Sequence, residues 1–107
     1  MIIRKDKYLK MLNGKQRAAV RREANGIQAL YQIGKEGITE NVLRQLDDAL
    51  EARELIKVHV LEGALLGARE ASDIIAEELG ADGVQAIGNK FVLYRPSSEN
   101  PKIVLPK

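Results

Sequence analysis

Residues 29–60 read ALYQIGKEGITENVLRQLDDALEARELIKVHV, and the fold turns on this stretch. Ala29 to Ile33 is a short, nearly continuous apolar run, the pattern of a buried strand. The period changes at Thr39. Thr39 is a good N-cap with Glu40 in the first turn. Val42, Leu43, Leu46, Ala49 and Leu50 then recur at the spacing of one helix face. Leu55 to Val60 alternates, with Ile56, Val58 and Val60 pointing one way and Leu55, Lys57 and His59 the other. ARELIK passes from helix to strand with almost no loop. Strand, helix, strand predicts a right-handed crossover between parallel strands.

The flanking segments extend this unit. Asn13 and Gln16 have capping-box spacing ahead of KQRAAVRREA, which predicts a helix from about Asn13 to Ala24. Leu12, Ala19 and Val20 share its broad apolar face, and Asn25-Gly26 ends it. Downstream, Ala68, Ala71, Ile75 and Leu79 mark a third helix from Leu66 to Leu79, stopped by Gly80. Val84 to Ile87 and Phe91 to Arg95 read as strands around a tight Gly88-Asn89 hairpin. The apolar triplet Ile103 to Leu105 either adds an edge strand or drapes across the surface. The order is α-β-α-β-α-β-β. It gives an α/β domain with a mixed four-stranded sheet, two parallel crossovers and an antiparallel hairpin. Residues 1–11 form a basic arm, 12–96 the domain and 97–107 a tail.

Composition narrows the chemistry. The chain has no cysteine, which excludes disulfides, thiolate nucleophiles and cysteine-based zinc sites. It has neither a signal-type apolar region nor the roughly 18 apolar residues of a membrane span. These features read as a soluble, cytoplasmic protein with no membrane partner. The net charge of +2 hides a split. Up to Lys35, nine basic residues face two acidic ones, a surplus of seven, and the remainder carries a deficit of five. Such a split suggests a polyanionic partner for the basic part, against the plainer reading of a solvated mixed-charge surface.

Catalytic groups are sparse. His59 is the lone histidine and stands in mid-strand. The neighbouring pairs Asp47-Asp48 and Glu77-Glu78 diverge by about 100° on a helix and do not converge on a substrate. Ser72, Ser97 and Ser98 lack a nucleophile-elbow context, and no His/Asp/Glu group has metal-ligand spacing. Nothing here calls for an enzyme, a metal or a cofactor.

The Gly34-Lys35-Glu36-Gly37 loop is more informative. It joins a strand to a helix N-terminus, where free N–H groups and the positive dipole end suit a phosphate. Lys35 can add a charge contact. The spacing is not that of a mononucleotide P-loop, which needs GxxxxGK[ST], so no nucleotide cofactor is expected. KH-type modules clamp a nucleic-acid backbone with a GxxG loop of this kind. A plain turn is the alternative. Glu36 places a carboxylate in the loop, which opposes a phosphate unless it points away or pairs with Lys35.

Taken together, KQR near the start, QIGKEGIT, ARELIKVHV and VQAIGNKFVLYRP resemble the CRM domain (chloroplast RNA splicing and ribosome maturation), in its small stand-alone bacterial, YhbY-like form. The resemblance runs from about Leu12 to Pro96, in the family's order and spacing. It implies a fold like the C-terminal domain of translation initiation factor three. It also implies a non-catalytic RNA-binding protein, associated with precursors of the large ribosomal subunit and their ribosomal RNA. The family's loop maps onto Gly34, Lys35, Glu36 and Gly37. Its basic helix surface maps onto Lys15, Arg17, Arg21 and Arg22, and its final-strand pair onto Tyr94 and Arg95. Lys90, beside the hairpin turn, either extends the basic surface or solubilises it. Tyr94 either stacks on a base or packs at its strand end. The competing expectation is a protein-interaction adaptor, whose acidic face of Asp47, Asp48, Glu51 and Glu54 docks a basic ribosomal protein.

Overall fold

Capping, period and turn chemistry place the elements much as the sequence predicts. A computed structural model describes residues 12–106; the basic arm expected over residues 1–11 lies outside them. Asn13 and Gln16 close their capping box, the Gln16 N–H donating to Asn13 Oδ1 at 2.8 Å and the Asn13 N–H to Gln16 Oε1 at 3.1 Å. This starts α1 (Gly14–Ala24). β1 (Ala29–Ile33), α2 (Glu40–Arg53), β2 (Leu55–Val60), α3 (Ala68–Leu79), β3 (Asp82–Ile87) and β4 (Lys90–Tyr94) follow. Thr39 caps α2 by accepting from the Val42 N–H at 3.1 Å, and Gly80 ends α3 at φ 65°.

The sheet order is β1-β2-β4-β3. β1 and β2 pair in parallel, as the first crossover requires. β4 is antiparallel to both β2 and β3. The second crossover therefore brings β3 parallel to β2 without pairing the two, because β4 lies between them. Gly88, at φ 61°, turns the chain at the first central hairpin position and returns β4 toward β2. There the Val60 N–H donates to the Asn89 carbonyl at 2.7 Å.

The expectation of a buried β1 needs correction. β1 is an edge strand, where Leu30 is 54% exposed and only Ile33 is fully buried. Apolar content alone cannot tell an edge from a centre, since pairing partners decide it.

Alternation in β2 divides the core. Ile56, Val58 and Val60 join Phe91, Leu93, Leu46, Leu50, Ala71 and Ile75 beneath α2 and α3. Leu55 joins Val84, Val92, Tyr94, Val20 and Ala24 beneath α1. Each large aliphatic or aromatic side chain so buried contributes about 1.5–3 kcal/mol before entropy is counted. The tail forms no strand over 97–106; Ile103 and Leu105 drape onto the α1-side cluster instead.

A single residue, Glu54, links α2 to β2, at φ 69° and fully buried. Positive φ disfavours a residue with a side chain. The carboxylate accounts for its presence. Oε2 accepts the Ser97 N–H, and Oε1 accepts the N–H groups of Lys102 and Ile103, each at 2.8 Å. The Glu54 carbonyl also accepts the Arg95 N–H at 2.9 Å. One buried carboxylate thus pins the tail to the helix–strand junction.

Candidate nucleic-acid interface

The sheet separates two sets of charge. On one face, α2 and α3 carry eight carboxylates against three arginines. On the other, α1 carries Lys15, Arg17, Arg21 and Arg22 against Glu23. Such a field steers a polyanion to the α1 side.

The four helix cations are not equivalent. Lys15, Arg21 and Arg22 are exposed. Arg17 is locked in a two-pronged pair. Its Nη1 donates to Asp82 Oδ1 at 2.6 Å and to the Gly83 carbonyl at 3.0 Å, and its Nη2 donates to Asp82 Oδ2 at 3.1 Å. Asp82 is only 6% exposed, so this pair ties α1 to the start of β3 and neutralises the arginine. Arg17 belongs to the scaffold rather than to a free basic surface.

The GKEG loop is a closed turn in which the Gly37 N–H donates to the Gly34 carbonyl at 2.9 Å. Gly37 sits at φ 74°, where a side chain is strained. Gly34 does not; a Cβ there would meet Leu61 Cδ1 at an ordinary 3.8 Å. Two donors are therefore already used, Gly37 N–H inside the turn and Val42 N–H on the cap. Lys35 and Glu36 are exposed and do not pair with each other. A Cβ on Gly63 would lie 3.8 Å from Lys35 Cβ, so the turn after β2 runs beside the loop. The register pairs Ile33 with Val60, His59 with Lys90 and Lys90 with Ile87. The GKEG loop, the turn after β2 and the hairpin therefore leave the same end of the sheet. Lys90 is exposed there. It lies on the rim of a depression of about 230 Å³ whose lining includes Asn25, at the C-terminal end of α1, with Lys57 and Gln85. Arg21 and Arg22 occupy the last turn leading to Asn25.

Two sequence-derived contacts lie inside the protein. Tyr94 is 2% exposed and packs in the α1-side cluster, so it offers no stacking surface. Burial, with the Glu54 charge second, raises its phenol pKa. Arg95 is fully buried. Its Nη1 donates to Asp47 Oδ1 at 2.6 Å and to the Leu79 carbonyl at 2.9 Å, and its Nη2 donates to the Asp47 carbonyl at 3.1 Å. It staples α2 to the C-terminal end of α3, where a cation suits the dipole. Sequence gave no signal of this, because a terminal Tyr-Arg pair looks the same whether it points in or out.

The acidic face expected to dock a protein is largely occupied by the chain itself. Glu54 is buried under the tail, and Asp47 holds Arg95. Glu51 Oε2 accepts from the Ser97 and Ser98 hydroxyls at 2.8 Å each and from the Ser98 N–H at 2.9 Å. The serine hydroxyls, Ser97 first, hold the Glu51 carboxyl below the usual carboxylate range. Of the four, only Asp48 is an exposed residue.

An α/β domain with a mixed four-stranded sheet, cationic on one face and acidic on the other, is the class these observations define. The chain belongs to the CRS1 / YhbY (CRM) domain family, whose model matches residues 12–95. It is 41% identical over 96 residues to "Probable RNA-binding protein YqeI" of Bacillus subtilis, covering 90% of this chain and 100% of that one. It is 38% identical over 96 residues to an "RNA-binding protein" of Haemophilus influenzae, covering 90% and 96% respectively. The solution structure of a Staphylococcus aureus protein superposes with a TM-score of 0.75 at 47% identity, covering 90% of this chain and all of that one.

Proposed function

We propose that this protein binds RNA without catalysis, that its RNA is ribosomal RNA in cytoplasmic precursors of the large ribosomal subunit, and that it assists their assembly. The observation that carries this reading is the charge division. Among the described residues, exposed cations without an ion-pair partner gather on the α1 side and at the loop end of the sheet, while the opposite side carries the acidic helices α2 and α3. The names of its relatives support RNA as the partner, and the family resemblance supports the ribosomal setting. Lys15, Arg21, Arg22, Lys35 and Lys90 neutralise phosphates, and the GKEG backbone lets one approach closely. At the loop and the first helix specificity rests on RNA shape, since no Phe or Tyr among the described residues is exposed there.

The test measures affinity for labelled large-subunit and small-subunit ribosomal RNA fragments, together with co-sedimentation with large-subunit precursors. Gly34→Asp puts a carboxylate in the loop at a position that accepts a Cβ, and it should weaken binding while the domain stays folded. Glu36→Gln removes an opposing charge and should strengthen binding about twofold. Equal affinity for both RNAs, with no co-sedimentation, would overturn the ribosomal assignment. A folded Gly34→Asp protein with wild-type affinity would remove the loop from the interface.

A further inference from the structure

α1 covers only part of its face of the sheet. At the loop end, strand pairing lines up one residue from each strand. Gln32 pairs with His59, His59 with Lys90, and Lys90 with Ile87. All four belong to the α1 side, because they alternate with the residues packed under α2 and α3. A second row, one step toward α1, runs through Ala29, Lys57, Val92 and Gln85. Val92 is the buried floor, and Lys57 and Gln85 line the depression above it. Gln32 and Lys90 are exposed, His59 is half-buried, and Ile87 is 67% exposed.

The chemistry of these rows is selective. They contain two lysines, an imidazole and two amides, and no carboxylate, in a chain with 15 Asp and Glu residues. Lys57, His59 and Lys90 have no ion-pair or side-chain hydrogen-bond partner among the described residues. None of the described residues takes up their donors, which suits an anionic partner. Three inter-strand gaps of about 4.8 Å give the first row a length of about 14 Å. Four-stranded sheets of this width present two or three unpaired bases side by side in other RNA-binding domains. Imidazole and aliphatic surfaces can lie against base planes, and amides read base edges. A duplex hides those edges and offers only its phosphates and groove to such a surface.

We infer that this open half of the sheet is a second RNA-binding surface, which takes the bases of an unpaired segment, with His59 and Ile87 against base faces, Gln32 and Gln85 on base edges, and Lys57 and Lys90 on the flanking phosphates. This rests on the RNA-binding reading and adds a preference to it, for single-stranded RNA held base-inward. The surface is continuous with the GKEG loop, because β1 runs from Gln32 through Ile33 into Gly34. The strand that meets the sheet passes to the loop without leaving the protein.

The experiment compares wild type, His59→Ala/Gln32→Ala and Gly34→Asp, each checked for folding, on a short unpaired oligoribonucleotide and on a duplex of equal length. The sheet variant should lose about 10-fold in affinity for unpaired RNA, the scale of losing one base contact. Its salt slope should stay unchanged, because no phosphate contact is removed, and its duplex affinity should match wild type. The imidazole resonances of His59 should shift when the unpaired oligonucleotide is titrated into the wild type. Wild-type affinity in the sheet variant, with binding lost in Gly34→Asp, would overturn the base-binding surface, keep the RNA-binding reading, and leave this face to a protein partner. A wild type that binds neither RNA would overturn both.

Discussion

Replacing Arg17 alone, and replacing Lys15, Arg21 and Arg22 together, should separate two roles that the sequence merges. Lys15, Arg21, Arg22, Lys35 and Lys90 are the exposed cations of the proposed interface. With Lys57 of the sheet surface, about six neutralised phosphates at about 0.7 each give a log–log salt slope near −4.2 on a single-stranded RNA. Affinity should then fall about 340-fold between about 50 and 200 mM salt. The triple alanine variant loses about three phosphates, so its slope should be near −2.1, and the same salt step should weaken it only about 18-fold. Arg17→Ala removes a cation already neutralised by Asp82 at 2.6 Å. Its slope should stay at the wild-type value. Its effect should appear in stability, because Asp82 is left nearly buried without its partner, at about 1–3 kcal/mol. Fluorescence anisotropy across the salt range and urea unfolding read the two effects separately. An Arg17→Ala slope about 0.7 shallower than wild type, with unchanged stability, would refute this division of roles.

Two further predictions concern the tail. Glu54→Gln keeps one oxygen but turns an amide against a backbone N–H, and it should destabilise the domain by about 3 kcal/mol in urea unfolding; a loss below about 0.5 kcal/mol would show that the buried carboxylate does not anchor residues 97–103. Glu51 is held below the usual carboxylate range by Ser97 and Ser98. A carboxyl lowered on folding stabilises the fold above its unfolded pKa, and that stabilisation is lost as pH falls through the folded value. The protection of the Ser98 amide, the slowing of its exchange relative to that of an unfolded chain at the same pH, should therefore fall on acidification through the carboxylate range, and Glu51→Gln should flatten that dependence. An identical pH profile in the variant would argue against it.

Local chemistry carried most of the fold. The capping box at Asn13, the Thr39 cap, the Gly80 stop, the Gly88-Asn89 turn and the alternation of Leu55 to Val60 each depend on residues within a few positions of one another. They were legible for that reason, as was the element order. The family resemblance pointed to the loop and the first helix. Sequence also identified Lys57 and His59 as sharing a strand face, but it could not show that the face is open beyond the end of α1.

What only the tertiary structure decided are pairings between residues far apart in the chain. Arg17 and Asp82 are 65 positions apart, and Arg95 and Asp47 are 48 apart. In the sequence all the cations look alike. In the fold, Arg17 bridges a helix to a strand, Arg95 is buried as a staple, and Lys15, Arg21, Arg22, Lys35 and Lys90 stay exposed. The insertion of β4 between β2 and β3 buried Tyr94 and aligned Gln32, His59, Lys90 and Ile87 in one row, and β1 is an edge because it pairs with β2 alone. Periodicity sets which way a side chain points from its own element. What stands opposite it depends on how the elements pack, and that contact decides whether a charge is neutralised or left free for a partner.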